Sequence, residues 1–225
     1  MRKFSVVFAA VALVLTFVAA SYAGDATVYV VHGIPDVDVD VAVDGLCAIP
    51  NFMFGDQVGP IELSPGIHQI TISFADPMDP CGGTVVLDAP VPFMDDENVT
   101  VIAYLDGMGM PTAGKFDNDF SRPGPGQARI IAHHCAAAPA VDIFVSRDMD
   151  GLGDPAVVGL ANGDQVMDYY RPGEWYVSIA PTGTTDIAFG PTLVKPKPFK
   201  VYRLFAVGSP LDGSLTLLDF EYDAK

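Results

Sequence analysis

Gly55-Asp56-Gln57-Val58, followed by Pro65-Gly66 and the run Ile67-His68-Gln69-Ile70-Thr71-Ile72, decides the fold because the chain contains it twice. Gly163-Asp164-Gln165-Val166 leads in the same way to Pro172-Gly173 and Glu174-Trp175-Tyr176-Val177-Ser178-Ile179. The offset is 108 residues at the first motif and 107 at the second. Upstream, Val28-Tyr29-Val30-Val31-His32 and Arg129-Ile130-Ile131-Ala132-His133 both end in histidine, and each precedes a run holding an aspartate, Val39-Asp40-Val41 and Val141-Asp142-Ile143. Solenoid units recur every 20–50 residues or about that, so a period near 100 marks a whole duplicated domain.

Within each copy the periodicity is two, the signature of half-buried strands. Val37, Val39, Val41 and Val43 alternate with Asp38, Asp40, Ala42 and Asp44. Strand-like runs also cover 26–31, 67–74, 84–87, 98–105 and 114–119. In the second copy they cover 128–132, 141–146, 174–180, 187–193, 199–207 and 215–220. Pro65-Gly66, Asp106-Gly107, Pro172-Gly173 and Asp212-Gly213 supply turn chemistry between them. The pattern predicts an all-β protein of two tandem β-sandwiches over residues 24–120 and 128–225. The seam, 121–127, alternates Pro and Gly, which neither continue a ladder nor seed a helix.

The first 23 residues read as a signal peptide: a basic Arg2-Lys3 head, an apolar run from Phe4 to Ala20, and a small-residue exit at Ser21-Tyr22-Ala23. No later stretch is long enough to span a bilayer, so the expectation is an exported protein, periplasmic or at the cell surface, with no membrane span in the mature chain. Removing Arg2 and Lys3 from the twelve basic residues leaves ten against 28 acidic ones, a net charge of −18. Such a surface repels nucleic acid and anionic lipid and favours solubility, cations or basic partners.

Cys47 and Cys81 both lie in the first copy, and their counterparts in the second are not cysteines. In an oxidising compartment they are expected to bond, leaving Cys135 as a buried inert thiol.

His32-Gly33-Ile34-Pro35-Asp36, leading to Val39-Asp40-Val41-Ala42-Val43-Asp44-Gly45, resembles the opening of the DUF4397 family, and so does His133 followed by Ala138-Pro139-Ala140-Val141-Asp142-Ile143-Phe144-Val145. The resemblance covers nearly all of residues 26–222. In this pairing the first copy is one residue shorter between histidine and aspartate, and Ser146-Arg147-Asp148 stands where an Asp-Gly turn is usual. The resemblance implies an exported immunoglobulin-like or transthyretin-like sandwich and no established activity.

His32 and His133, set alike before Asp40 and Asp142, read as structural rings that hydrogen-bond their own following loops. His133-His134-Cys135 is a poor copper site, because alternation sends the two rings to opposite faces and no later histidine exists. Asp148, Asp150 and Asp154, spaced among glycines, are the candidate metal ligands, with calcium as the possible cofactor, although the EF-hand spacing fails. Asp36, Asp38 and Asp40 share one face of a strand and read as a solvent face, the bland alternative to a carboxylate-based hydrolase. Trp175 reads as core or as an inter-domain contact. No nucleophile elbow, phosphate loop, dinucleotide fingerprint or zinc-spaced Cys/His set appears. The sequence therefore points to a non-catalytic envelope or extracellular interaction module whose partner is an unknown protein or glycan. A calcium-dependent adhesive or matrix protein is the alternative.

Overall fold

The computed structural model describes residues 24–150 and 152–225, so the expected signal peptide lies outside the described residues. Every regular element among the described residues is a strand. No helix among them is long and apolar enough to cross a membrane.

The first unit contains β1 (Ala26–His32), β2 (Val39–Val43), β3 (Leu46–Phe52), β4 (Gln57–Leu63), β5 (Gly66–Phe74), β6 (Val85–Phe93), β7 (Asn98–Leu105) and β8 (Pro111–Asp117). They form two four-stranded sheets, β4-β1-β7-β8 and β3-β2-β5-β6. The second unit contains β9 (Ala128–Ala136), β10 (Val141–Ser146), β11 (Val157–Leu160), β12 (Gln165–Tyr170), β13 (Trp175–Pro181), β14 (Phe189–Val194), β15 (Lys200–Gly208) and β16 (Thr216–Asp223). Its sheets, β12-β9-β15-β16 and β11-β10-β13-β14, repeat the same order strand for strand. In each unit one pair is parallel, β1 with β7 and β9 with β15, and the other neighbours are antiparallel.

Alternation explains the cores. Val39, Val41, Ile70 and Ile72 meet inside the first sandwich, and Val141, Ile143, Leu160 and Ile179 inside the second. A third apolar cluster lies between the units. Val31, Ile102, Tyr104 and Phe116 of the first pack against Cys135, Phe205 and Val207 of the second. The sheets holding β1 and β9 thus face each other, and the seam at 121–127 only joins what packing already holds together.

The two units differ most at one hairpin. Asp44 (φ 51°) and Gly45 (φ 77°) turn β2 into β3, the positive-φ pair that a two-residue hairpin favours. In the second unit residues 147–156 connect β10 to β11.

Candidate functional site

The GDQV motif is the strand-entry turn into β4 and β12. Gly55 (φ 84°) and Gly163 (φ 87°) take a backbone conformation that a side chain would strain. Each motif clips onto a histidine backbone. The Gly55 amide donates to the His32 carbonyl at 2.8 Å and the His32 amide to the Asp56 carbonyl at 3.1 Å. In the second unit the partner is His134: the Gly163 amide reaches the His134 carbonyl at 2.7 Å, and the His134 amide reaches the Asp164 carbonyl at 3.0 Å.

This corrects the expected pairing of His32 with His133. The equivalent of His32 is His134, and its spacing to Asp142 then equals that of His32 to Asp40. The side chains agree. His32 Nε2 donates to the Val37 carbonyl at 2.8 Å, and Nδ1 accepts from the Ile34 amide at 3.4 Å. His134 Nε2 donates to the Pro139 carbonyl at 2.9 Å, and Nδ1 accepts from the Ala136 amide at 3.4 Å. Both rings are buried and neutral, and burial lowers the pKa of each against the opposing pull of its carbonyl partner. With both nitrogens engaged by the following loop, neither ring offers a lone pair to a metal or a substrate.

His133 sits where the first unit has Val31, since both pair with the glutamine of the motif, Gln165 and Gln57. Its ring faces the inter-unit cluster, stacked on Phe205 at 4.0 Å and edge-on to Phe116 at 4.8 Å. Nδ1 donates to the Leu204 carbonyl at 3.1 Å, and Nε2 is buried without a partner. Burial pushes its pKa down to about 4, and the nearby Arg203 charge adds to the shift.

Asp40 corrects a second expectation. It does not share a solvent face with the exposed Asp36 and Asp38; it is buried beneath β3 and the β5–β6 loop. Its carboxylate accepts from the amides of Asn51 (2.6 Å), Cys81 (2.8 Å) and Asp76 (3.3 Å). Burial works against the charged form, and the three amides outweigh it, so the carboxyl stays below the usual aspartate range. Asp142 does the same in the second unit, taking the amides of Gly183 and Gly159, each at 2.8 Å, which lower its pKa. Each aspartate ties an edge strand to the loop that crosses it. In the first unit a disulfide reinforces that tie: Cys47 on β3 is bonded to Cys81, with the Cα atoms 5.6 Å apart. Cys135 is free and buried at the inter-unit cluster, where burial raises its thiol pKa.

Asp148, Asp150 and Asp154 lie on the 147–156 connection, whose counterpart in the first unit is the two-residue Asp44-Gly45 turn. The six residues by which the motif offset of 108 exceeds the histidine offset of 102 fall here. The Asp148 carboxylate accepts from the Asp150 amide at 3.3 Å. Among the described residues no three His, Cys, Asp or Glu side chains gather as a metal would require. Trp175 is not at the inter-unit contact. It stands at one end of the second sandwich, edge-on to Tyr170 at 5.1 Å and under the Arg147 guanidinium at 3.6 Å.

The residues from Ala26 to Phe144, just over half of the chain, match the family described as a domain of unknown function, DUF4397. The chain belongs to the DUF4397 family. The matched stretch takes in the whole first sandwich with its disulfide, then β9 and most of β10, so it includes both histidine–aspartate pairs. No curated protein matches the chain.

Proposed function

We propose that this DUF4397 protein is exported and acts as a non-catalytic interaction module of the cell envelope or extracellular space. One observation carries the reading. The buried titratable residues that both units keep, His32 with His134 and Asp40 with Asp142, spend their polar atoms on the protein's own backbone. They read as fold-defining groups, and their repetition in both units is what a structural role predicts. Export is supported by the basic-then-apolar opening of the sequence and by the Cys47–Cys81 bond, which persists in oxidising compartments.

The test is a pull-down with the intact mature protein from the native envelope fraction, together with the mass of the secreted form. A chain starting at Gly24 and a saturable protein or glycan partner are expected. Turnover in a screen of glycan and peptide substrates overturns the reading in favour of a carboxylate-based hydrolase.

A calcium-dependent adhesive role is the second reading. The Asp148–Asp154 connection favours it, because this acidic loop is an addition that the duplicated fold does not require. Melting with and without millimolar calcium separates the two readings. A bound ion at a hundredfold excess over its dissociation constant stabilises by about 2.7 kcal/mol, a rise of several degrees. Asp150→Asn should remove that rise, whereas Asp38→Asn should not.

A further inference from the structure

The two sandwiches are packed to different densities. Between the sheets of the first lies a space of about 30 Å³ lined by Val28, Ile61, Ile70 and Phe93. Between the sheets of the second lies a space of about 70 Å³ lined by Ala132, Val166, Val177 and Leu204 and reaching Tyr170 and Trp175. The register gives a reason for the difference. Phe93 stands opposite Gly66 and is buried, closing its end of the first sandwich. Trp175 stands opposite Val194, so the same place opposite Gly173 falls to Pro196, a far smaller plug. The edge strand is also shorter there, four residues in β11 against seven in β3, and the disulfide of the first unit has no equivalent.

We infer that the second sandwich binds a short aliphatic chain between its sheets, entering at the Tyr170–Trp175 end, with a hydrogen-bond-donating head, an alcohol or an ammonium, left at the Asp168 rim. Hydrocarbon-lined cavities stay dry and take apolar guests. At 10–15 Å³ of such space per water-sized group, about five methylenes fit. The rim sets the head group. Asp168 is the only charged side chain lining the space, and it is exposed. Its carboxylate accepts from a donor and repels an anion, and the net charge of −16 acts in the same direction. Arg147 is already seated on the indole and bonded to the Glu174 carbonyl at 3.4 Å. The inference is independent of the interaction-module reading, since it concerns a small-molecule site.

Trp175 is the one tryptophan of the chain, so its fluorescence reports on this mouth alone. The full mature protein is titrated with butylamine, hexylamine, octylamine, hexan-1-ol and hexanoate. Saturable changes are expected for the amines and the alcohol, with affinity rising about three- to fourfold per methylene up to roughly six carbons and then levelling off. Hexanoate should bind at least tenfold more weakly than hexylamine. Ala132→Leu, which fills the space, should abolish the response while leaving cooperative melting in place. If that variant does not fold, the chain-length series decides by itself. A linear, non-saturating response, or affinity that keeps rising through octylamine, overturns the site. Hexanoate binding as tightly as hexylamine overturns the role of Asp168.

Discussion

Arg203 of the second sandwich donates to Asn118 Oδ1 of the first at 2.8 Å, across the seam between the two units. Its other terminal nitrogen reaches Gln57 Oε1 and the Tyr222 hydroxyl, and its guanidinium lies 4.8 Å from the Tyr29 ring and 4.5 Å from the Tyr222 ring. The side chain is fully buried, its acceptors are neutral, and burial lowers its pKa. Aromatic faces and side-chain oxygens therefore do the work of a counter-ion, and they come from both units.

That arrangement separates the effects of two substitutions. Arg203→Ala leaves a cavity at the centre of the contact and should cost about 3–5 kcal/mol in urea unfolding. Arg203→Met keeps the volume and removes a charge that is expensive to bury, and so should cost about 2 kcal/mol less than the alanine variant. Two bonds survive without the guanidinium, Thr100 to Asn118 at 2.9 Å and Tyr222 to Gln57. Equal losses in the two variants would mean that the charge itself holds the units together.

Asp40 is the corresponding anchor inside the first sandwich. Asp40→Ala strips the partner from three backbone amides, and a bond to a charged group contributes about 1.5–3 kcal/mol, so a loss of at least about 3 kcal/mol is expected. Asp38→Ala, two residues earlier and exposed, should stay within about 0.5 kcal/mol. Chemical denaturation of the pair distinguishes a buried anchor from a solvent-face charge.

The duplicated sandwich was legible because β1, β2, β5, β7 and their counterparts are rich in β-branched and aromatic residues, with turn residues between them. The strands left unread were β3, β4, β11 and β12, and the topology makes each of them an edge. Edges tolerate residues that interior strands exclude: Pro50 in β3, Gly59-Pro60 in β4, Gly159 in β11. The edges on the other side of each sheet, β6, β8, β14 and β16, keep enough apolar residues to be read. The His133 pairing failed for a different reason. Either of two adjacent histidines can fill the motif, but only His134 keeps the His32–Asp40 spacing, and the backbone clip from Gly163 selects the same residue. Asp40 was misplaced because period two assigns a face and cannot show that a distant loop covers it. The open end of the second sandwich depends on what stands opposite Gly66 and Gly173, a cross-strand relationship that no local spacing reveals.

Reduction of Cys47–Cys81 should destabilise the first sandwich more than the second. The bond spans a sequence separation of 34 residues, for which loop closure gives about 3–4 kcal/mol. The Cys47→Ser, Cys81→Ser double variant should lower the unfolding free energy by that amount and speed hydrogen exchange in β3 and in residues 75–84. Protection in β10 and β13 should change far less. Mass spectrometry of the non-reduced protein should show the 47–81 peptide pair, and a bridge through Cys135 in its place would contradict the structure.

His133 makes the contact between the units sensitive to acid. In the folded protein its pKa lies at about 4, against an ordinary value of 6.5, because the ring is buried between Phe205 and Phe116 beside Arg203. The unfolded chain therefore takes up the proton first. Stability is complete above the ordinary value, falls as the pH drops from 6.5 towards 4, and loses no more through this group below that. At 1.36 kcal/mol per unit the span corresponds to a loss of about 3 kcal/mol. His32 and His134 are shifted in the same direction and add to the acid slope. Removing His133 alone should therefore flatten the slope without abolishing it. His133→Leu, which keeps an apolar group where the first unit has Val31, should show a smaller drop in urea midpoint between pH 7 and pH 4 than the unmodified protein. His134→Leu should be destabilised already at pH 7, because it loses the bonds to Pro139 and Ala136. Parallel pH profiles for the unmodified protein and His133→Leu would mean that His133 is solvated when protonated and the seam has opened around it.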